Sequence, residues 1–144
     1  MATTSPILTA APAMPSTTTG RTRRFWRTGA IAGVAASAAN MAVVLAARAA
    51  DVEVSVDHER IPVVGFAQLT LVGAVLGVLL ASVIAKRARR PRHLFVTVTA
   101  VLTALSIVPD VLVDTDTSSK LVLAATHLLA AVIIVPALAA RVPE

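Results

Sequence analysis

Cysteine and tyrosine are absent from the 144 residues, and aromatic side chains make up only 3% of them. The lack of cysteine excludes disulfides and thiolate metal sites, and it leaves the redox compartment unreadable. So few aromatic residues cannot form the stacking platforms that bind single-stranded nucleic acid. Charged residues are also scarce, at 15%, whereas a soluble domain usually carries about 25%. These shortages argue against a soluble domain and against a nucleic-acid-binding protein.

The chain is instead rich in apolar residues, which are gathered into four blocks. Hydrophobic residues make up 56% of the chain, and the mean hydropathy is +0.81. Each block has about 20 residues, the length that crosses a hydrocarbon core of about 30 Å as a helix. Short polar connections predict an up-down bundle. The predicted fold is an all-α integral membrane protein, a four-helix transmembrane bundle in residues 25–144, with spans at about 28–48, 63–85, 94–113 and 120–140.

The first 24 residues and the basic residues bear on orientation. Residues 1–24 begin with a Thr/Ser/Pro-rich stretch without periodicity, which predicts a disordered tail. Basic loops stay in the cytoplasm, so a cell-membrane protein with both termini cytoplasmic is predicted. The same residues are expected to contact anionic lipid headgroups, and no motif supports a nucleic-acid partner. Nine of the 13 lysines and arginines precede the first span or join the second to the third: Arg21, Arg23, Arg24, Arg27, Lys86, Arg87, Arg89, Arg90 and Arg92.

The first span has an alternative interpretation. Its arginines, its apolar run and the "AARAAD" segment, with Ala47 and Ala49 in A-x-A order, resemble a twin-arginine or secretory signal cleaved after Ala49. The full spanning length and Asn40 in mid-run favour a retained anchor. The aromatic residues near the predicted helix ends suit an interfacial belt: Phe25, Trp26, Phe66 and Phe95.

Small residues at helical spacing indicate where helices approach closely. The first span has Gly29 and Gly33 in a GxxxG pattern, continued by Ser37 and Asn40 on nearly the same face. The second span carries a comparable row: Thr70, Gly73, Gly77 and Ala81. A hairpin between the first two helices is favoured because neighbours with a short loop meet first. A homodimer seam is the alternative.

Three polar residues are predicted to form an intramembrane layer. At 1.5 Å per residue, Asp110, His127 and Asn40 lie about 6, 10 and 12 Å below the outer boundary. A hydrogen bond that locks the bundle is the favoured role of His127, and a proton or ligand site is the alternative. Asp110 suits a water-boundary position and a pocket equally. Three hydroxyl residues share its helix face and can bond their own helix carbonyls: Thr99, Thr103 and Ser106.

No pattern indicates catalysis, a metal or a cofactor. The outer loop contains Glu53, Asp57, His58 and Glu59, which are ligand types, but their spacing matches no metal motif and a solvated acidic loop is favoured. Nucleophile-elbow, HExxH and phosphate-loop motifs are lacking. The predicted function is a non-enzymatic scaffold or partner-binding membrane component, with a homodimer or a second membrane protein as partner. A small proton-responsive transporter or ligand-binding protein that uses the layer around His127 is the alternative.

The end of the chain carries a family resemblance. With four spans, an asparagine in the first, and the segments "LSIVPD" and "SSKLVLAATHLLAAVIIVPAL", the chain resembles an uncharacterised actinobacterial family of small membrane proteins, domain of unknown function 6069. Members of that family tend to have methionine where this chain has Thr126. The resemblance implies four helices rather than a cleaved signal, and it implies no activity.

Overall fold

Four long helices make up most of the part of the chain that the structure describes. The computed structural model describes residues 18–52, 54–56, 59–60, 62–112 and 114–144. Each helix is long and apolar enough to cross a membrane, which confirms the predicted all-α membrane fold. The helices are α1 (Thr18–Ala49), α2 (Val63–Arg87), α3 (Pro91–Leu112) and α4 (Thr117–Ala139).

Three helices begin earlier than the apolar blocks that predicted them. α1 begins at Thr18, so residues 18–24 are helical rather than part of a disordered tail; arginine is a good helix former and extends the helix beyond the apolar run. α3 begins at Pro91, since proline suits the first helical position. α4 begins after Asp116, whose carboxylate accepts a hydrogen bond from the Ser119 N–H. Residues 1–17 lie outside the described part of the chain.

α1 ends in a C-terminal cap that turns the chain into the connection between α1 and α2. Asp51 has a φ of 59°, the left-handed conformation common after a helix end. The N–H of Val52 donates to the Ala47 carbonyl (3.0 Å) and the N–H of Asp51 to the Arg48 carbonyl (3.1 Å). Two short antiparallel strands follow, β1 (Ser55–Val56) and β2 (Glu59–Arg60), with Ser55 opposite Arg60.

The helices form a ring in chain order. α1 contacts α2 most extensively and then α4, whereas α3 contacts α4 more than α2. α2 and α4 also touch each other, so they lie across the shorter diagonal. Two apolar clusters fill the interior. The smaller one lies at the end of the bundle that carries the α1–α2 connection and holds Val44, Val54, Phe66 and Leu123. The larger one holds Phe25, Ala32, Ala36, Ala74, Val78, Ala81, Ile84, Phe95, Ile134, Leu138, Ala139 and Val142.

The predicted aromatic belt is wrong for the three phenylalanines. Phe25, Phe66 and Phe95 are buried in the two clusters, and only Trp26 is exposed. Alanines dominate the helix contacts, so a phenylalanine is the largest apolar group that can fill space at the ends of the bundle. Its position near a helix end is therefore explained by packing.

Candidate functional site

The contact of three helices near Gly29 fixes a common level in the bundle. A Cβ at Gly29 would overlap the Val78 side chain and lie 3.7 Å from Leu138. Eleven residues outward along α1 from Gly29 stands Asn40, and eleven residues outward along α4 from Leu138 stands His127. Both steps rise about 16 Å. Asn40 and His127 therefore lie at about the same height along the bundle.

At this depth Asn40 pairs with α2. Its Nδ2 donates to the Thr70 hydroxyl at 2.9 Å, and the Thr70 hydroxyl donates to the Phe66 carbonyl at 2.7 Å. One turn away, the Ser37 hydroxyl donates to the Ala67 carbonyl at 3.2 Å. Asn40 is only 2% exposed. These bonds tie α1 to α2, and Thr70 is the partner of Asn40 that sequence reasoning did not name.

The second polar pair joins α3 to α4. His127 Nδ1 lies 2.9 Å from Asp110 Oδ2 and 3.1 Å from the Leu123 carbonyl oxygen. A carbonyl only accepts, so this contact is a hydrogen bond when Nδ1 carries the hydrogen. The Asp110 side chain is 11% exposed and that of His127 42% exposed. The structure thus brings two members of the predicted layer into direct contact and bonds the third, Asn40, to a different helix.

The Nδ1–H bond of His127 points at the Leu123 carbonyl rather than at the Asp110 carboxylate. It forms an aligned hydrogen bond with Leu123, whereas Asp110 Oδ2 is at ion-pair distance without an aligned donor. The other buried side-chain oxygen without a hydrogen-bond partner, among the described residues, is Asn40 Oδ1. The carboxylate of Asp110 lies in the interior rather than at the surface of the protein. Asp110 Oδ2 and His127 Nδ1 are therefore within ion-pair distance of each other without an aligned hydrogen bond.

The hydroxyl stripe on α3 bonds its own helix. Thr99 donates to the Phe95 carbonyl (2.8 Å), Thr103 to that of Thr99 (2.8 Å) and Ser106 to that of Thr103 (2.7 Å). On α4, the buried Thr126 hydroxyl donates to the Leu123 carbonyl at 2.7 Å. These hydroxyl hydrogens are therefore already used, and Asp110 is the member of the stripe that reaches another helix.

The predicted packing glycines divide into three groups. A Cβ at Gly33 would lie 2.8 Å from that of Ala74, so Gly29 and Gly33 form the close α1–α2 contact. Gly77 faces α4, where a Cβ would lie 3.3 Å from Leu138. Gly73 was predicted as a packing residue, and within this chain that is wrong, because a Cβ there meets nothing within 4 Å. The row that faces α1 runs through Thr70, Ala74 and Val78, a register that spacing alone did not distinguish.

The basic residues collect at one end of the bundle. The start of α1, the end of α2 and the start of α3 meet there, since the helices run antiparallel. Arg92 bonds Glu144 across this end at 2.8 Å. The side chain of Arg21 lies outside the described part, and the other predicted headgroup residues are exposed: Arg23, Arg24, Arg27, Lys86, Arg87, Arg89, Arg90 and Arg92.

Sequence reasoning also missed a lysine at the opposite end. The Lys120 ammonium donates to the Val111 carbonyl in the last turn of α3, at 2.9 Å. Lys120 follows "DTSS", which is typical of a helix start and does not indicate a contact with α3. Within the described residues, no group of three or more His, Cys, Asp or Glu could hold a metal. Glu53, Asp57 and His58 lie outside them, and the side chain of Glu59 is not described.

Comparison with known proteins places the chain in a family. No curated protein and no solved structure matches it. The sequence model of a family of unknown function, DUF6069, matches residues 20–144, and this stretch contains all four membrane spans. The match therefore extends the resemblance seen in the last helix to the first. With its four apolar helices and its two polar pairs, the chain belongs to the DUF6069 family of unknown function.

Proposed function

We propose that this multi-pass protein is a non-enzymatic component of the cell membrane whose bundle responds to protonation of the Asp110–His127 pair. The observation that carries the proposal is the 2.9 Å distance between His127 Nδ1 and Asp110 Oδ2 at mid-bundle depth. Ionisable groups inside a membrane are costly, and they mark proton relays and ligand sites. Histidine ordinarily changes charge between pH 5 and 8.

Few other charged groups lie near the Asp110–His127 pair, so the response of the bundle to pH depends mainly on these two residues. From α1 and α2 the same level presents Asn40 and Thr70, which do not titrate. On α4 the nearest other charge is Lys120, which bonds the end of α3. A protonated His127 attracts the Asp110 carboxylate, and deprotonation removes that attraction while the carboxylate stays buried. The α3–α4 contact is therefore stronger at low pH.

The test is the pH dependence of stability. Unfolding of the purified protein in mixed detergent, measured from pH 5 to 8, should show stability falling as pH rises. The expected loss is small, at most about 1 kcal/mol as for an exposed ion pair, because the His127 side chain is 42% exposed. His127→Asn should fold and show no such slope, since an amide supplies a donor but no titration.

His93→Asn is the matched control. His93 is exposed in the first turn of α3, at the basic end, and its replacement should leave the slope unchanged. Asp110→Asn should abolish the slope as His127→Asn does. A slope that persists in a folded His127→Asn protein would contradict the proposal, and the pair would then be a packing contact only.

Orientation and lipid contact follow from the basic end. We propose that this end faces the cytoplasm, with both termini, and that its arginines bind anionic headgroups. Reporter fusions after residues 56 and 116 should then be external, and fusions after 88 and 144 internal. Flotation with vesicles that contain or lack anionic lipid tests the headgroup contact. Arginine-to-glutamine changes at positions 89 and 90 should weaken any preference for the anionic vesicles.

A partner-binding role is the second candidate, and Gly73 is the observation that favours it. No helix of the chain approaches this glycine, and Leu69 and Leu76 beside it are strongly exposed. Glycine at a membrane helix surface lets a second helix approach closely, so a second copy is the proposed occupant. Gly73→Leu should abolish dimer crosslinking in bilayers and leave the monomer folded. Retained dimer in that variant would exclude this seam.

A further inference from the structure

α3 stops short at the outer end of the bundle. Asp110, which contacts His127, is two residues before the last residue of α3, whereas His127 is ten residues after the first residue of α4. At 1.5 Å per residue, α4 extends about 15 Å beyond the level of the pair and α3 only about 3 Å. Asn40 stands nine residues before the end of α1, so α1 also extends about 14 Å. The bundle therefore has a corner about 12 Å deep that no helix fills.

The side of α4 above His127 faces this corner. Ala124 and Lys120 stand three and seven residues before His127, on the same helix face, and all three are only partly buried. Four residues connect α3 to α4, where a helix would need about eight to reach the same height. Ala124 is small and fills little of the space. The corner thus leads from the outer end down to the Asp110–His127 pair.

Lys120 places a charged group at this corner. Its ammonium bonds the Val111 carbonyl, next to Asp110 and far below the start of α4. An ammonium has three hydrogen-bond donors, and that carbonyl is the one partner the described residues give it. The last carbonyls of α3 also lack partners within their own helix. Lipid would satisfy neither a charged group nor free carbonyls, so we infer that water reaches them.

We propose that the corner above α3 is an aqueous recess that opens at the end of the bundle opposite the basic residues. Protons reach Asp110 and His127 through it, from that end only. We call it the α3 recess; its walls are Lys120 and Ala124, and its floor is the Asp110–His127 pair. On the opposite side of the pair, towards the basic end, Thr99 and Phe95 are buried. The inference rests on the proposed proton response and names the side from which the proton comes.

Cysteine accessibility tests the recess, because the chain contains no cysteine of its own. Leu112→Cys places a thiol at the end of α3, where Leu112 is 77% exposed. Leu69→Cys is the matched control: Leu69 is 70% exposed on α2, one residue from Thr70 and thus near the same depth, on a face that either lipid or a second copy covers. Ala124→Cys probes the α4 wall with a small change. Ser118→Cys, exposed at the start of α4, marks the acidic side.

A membrane-impermeant charged thiosulfonate is added to one side of oriented vesicles that contain the full chain. The reagent reacts with the thiolate, which forms in water and not in lipid. Leu112→Cys and Ala124→Cys should therefore react at least roughly tenfold faster than Leu69→Cys. They should react from the side that labels Ser118→Cys. Reaction as slow as that of Leu69→Cys at both positions overturns the recess, and so does reaction from the other side. Labelling does not depend on the pH slope, so the recess and the proton response fail separately.

Discussion

The closeness of α1 to α2 gives the sharpest stability prediction. Replacing Gly33 with alanine adds a methyl whose carbon would lie 2.8 Å from the Cβ of Ala74. Both carbons are fixed to their helices, so relief requires the helices to separate. Overpacking of this kind costs about 1–3 kcal/mol. The same change at Gly73 meets nothing within 4 Å, which makes Gly73→Ala the matched control.

Comparing the two variants removes the contribution of helix propensity. Each change from glycine to alanine in a helix interior gains about 1 kcal/mol, so the difference between them reports the close contact alone. We expect Gly73→Ala to be more stable than Gly33→Ala by about 1–3 kcal/mol. Unfolding by dodecyl sulfate in mixed micelles, followed by the fluorescence of Trp26, measures it; this is the only tryptophan in the chain.

A compensating change makes the test stricter. Gly33→Ala combined with Ala74→Gly moves the methyl from α2 to α1 and should recover most of the lost stability. The double-mutant cycle then gives a coupling energy, which residues in contact show at about 0.5–3 kcal/mol. Equal stability of Gly33→Ala and Gly73→Ala, or zero coupling with Ala74, would refute the close packing of these helices.

Three further predictions concern the helix ends and the first span. Asp51→Gly should raise the free energy of unfolding by about 1 kcal/mol, because a left-handed φ disfavours side chains, and Asp51→Val should lower it; thermal unfolding measures both. Asp116→Ala should cost about 1 kcal/mol through loss of the cap on Ser119, measured as a fall in Tm. The intact mass of protein extracted from membranes should include α1, and a chain that begins at Ala50 would contradict a retained anchor.

Depth could be predicted from the sequence, and rotation could not. The rise of a helix is fixed at 1.5 Å per residue, so Asn40 and His127 were placed at one level from their positions alone. Which neighbour each meets depends on the rotation of the helix about its axis. Apart from the hydroxyl stripe on α3, apolar residues lie on all sides of the spans, so polarity does not indicate that rotation. Thr70 therefore came out as the partner of Asn40 only from the structure, and Gly73 turned outward while Gly77 turned inward.

The helix starts could have been predicted more closely than they were. Pro91 and Asp116 carry the standard signals for a first helical residue and an N-cap. The block lengths were set by hydropathy, which ends where charge begins, although a helix continues through arginines and caps. Hydropathy reports which residues meet lipid. It does not report where the backbone hydrogen bonds of α1 begin.

The two polar pairs divide the bundle into unlike halves. α1 and α2 approach over glycine and alanine and are joined by Asn40 and Thr70, which do not change charge. α3 and α4 are joined by Asp110 and His127, whose side chains are ionisable. α4 also packs extensively on α1, whereas α3 has its main contact with α4 alone. A change of charge at the pair therefore acts on the least supported helix, and since α3 also forms the base of the recess, its displacement would alter access to the very groups that titrate.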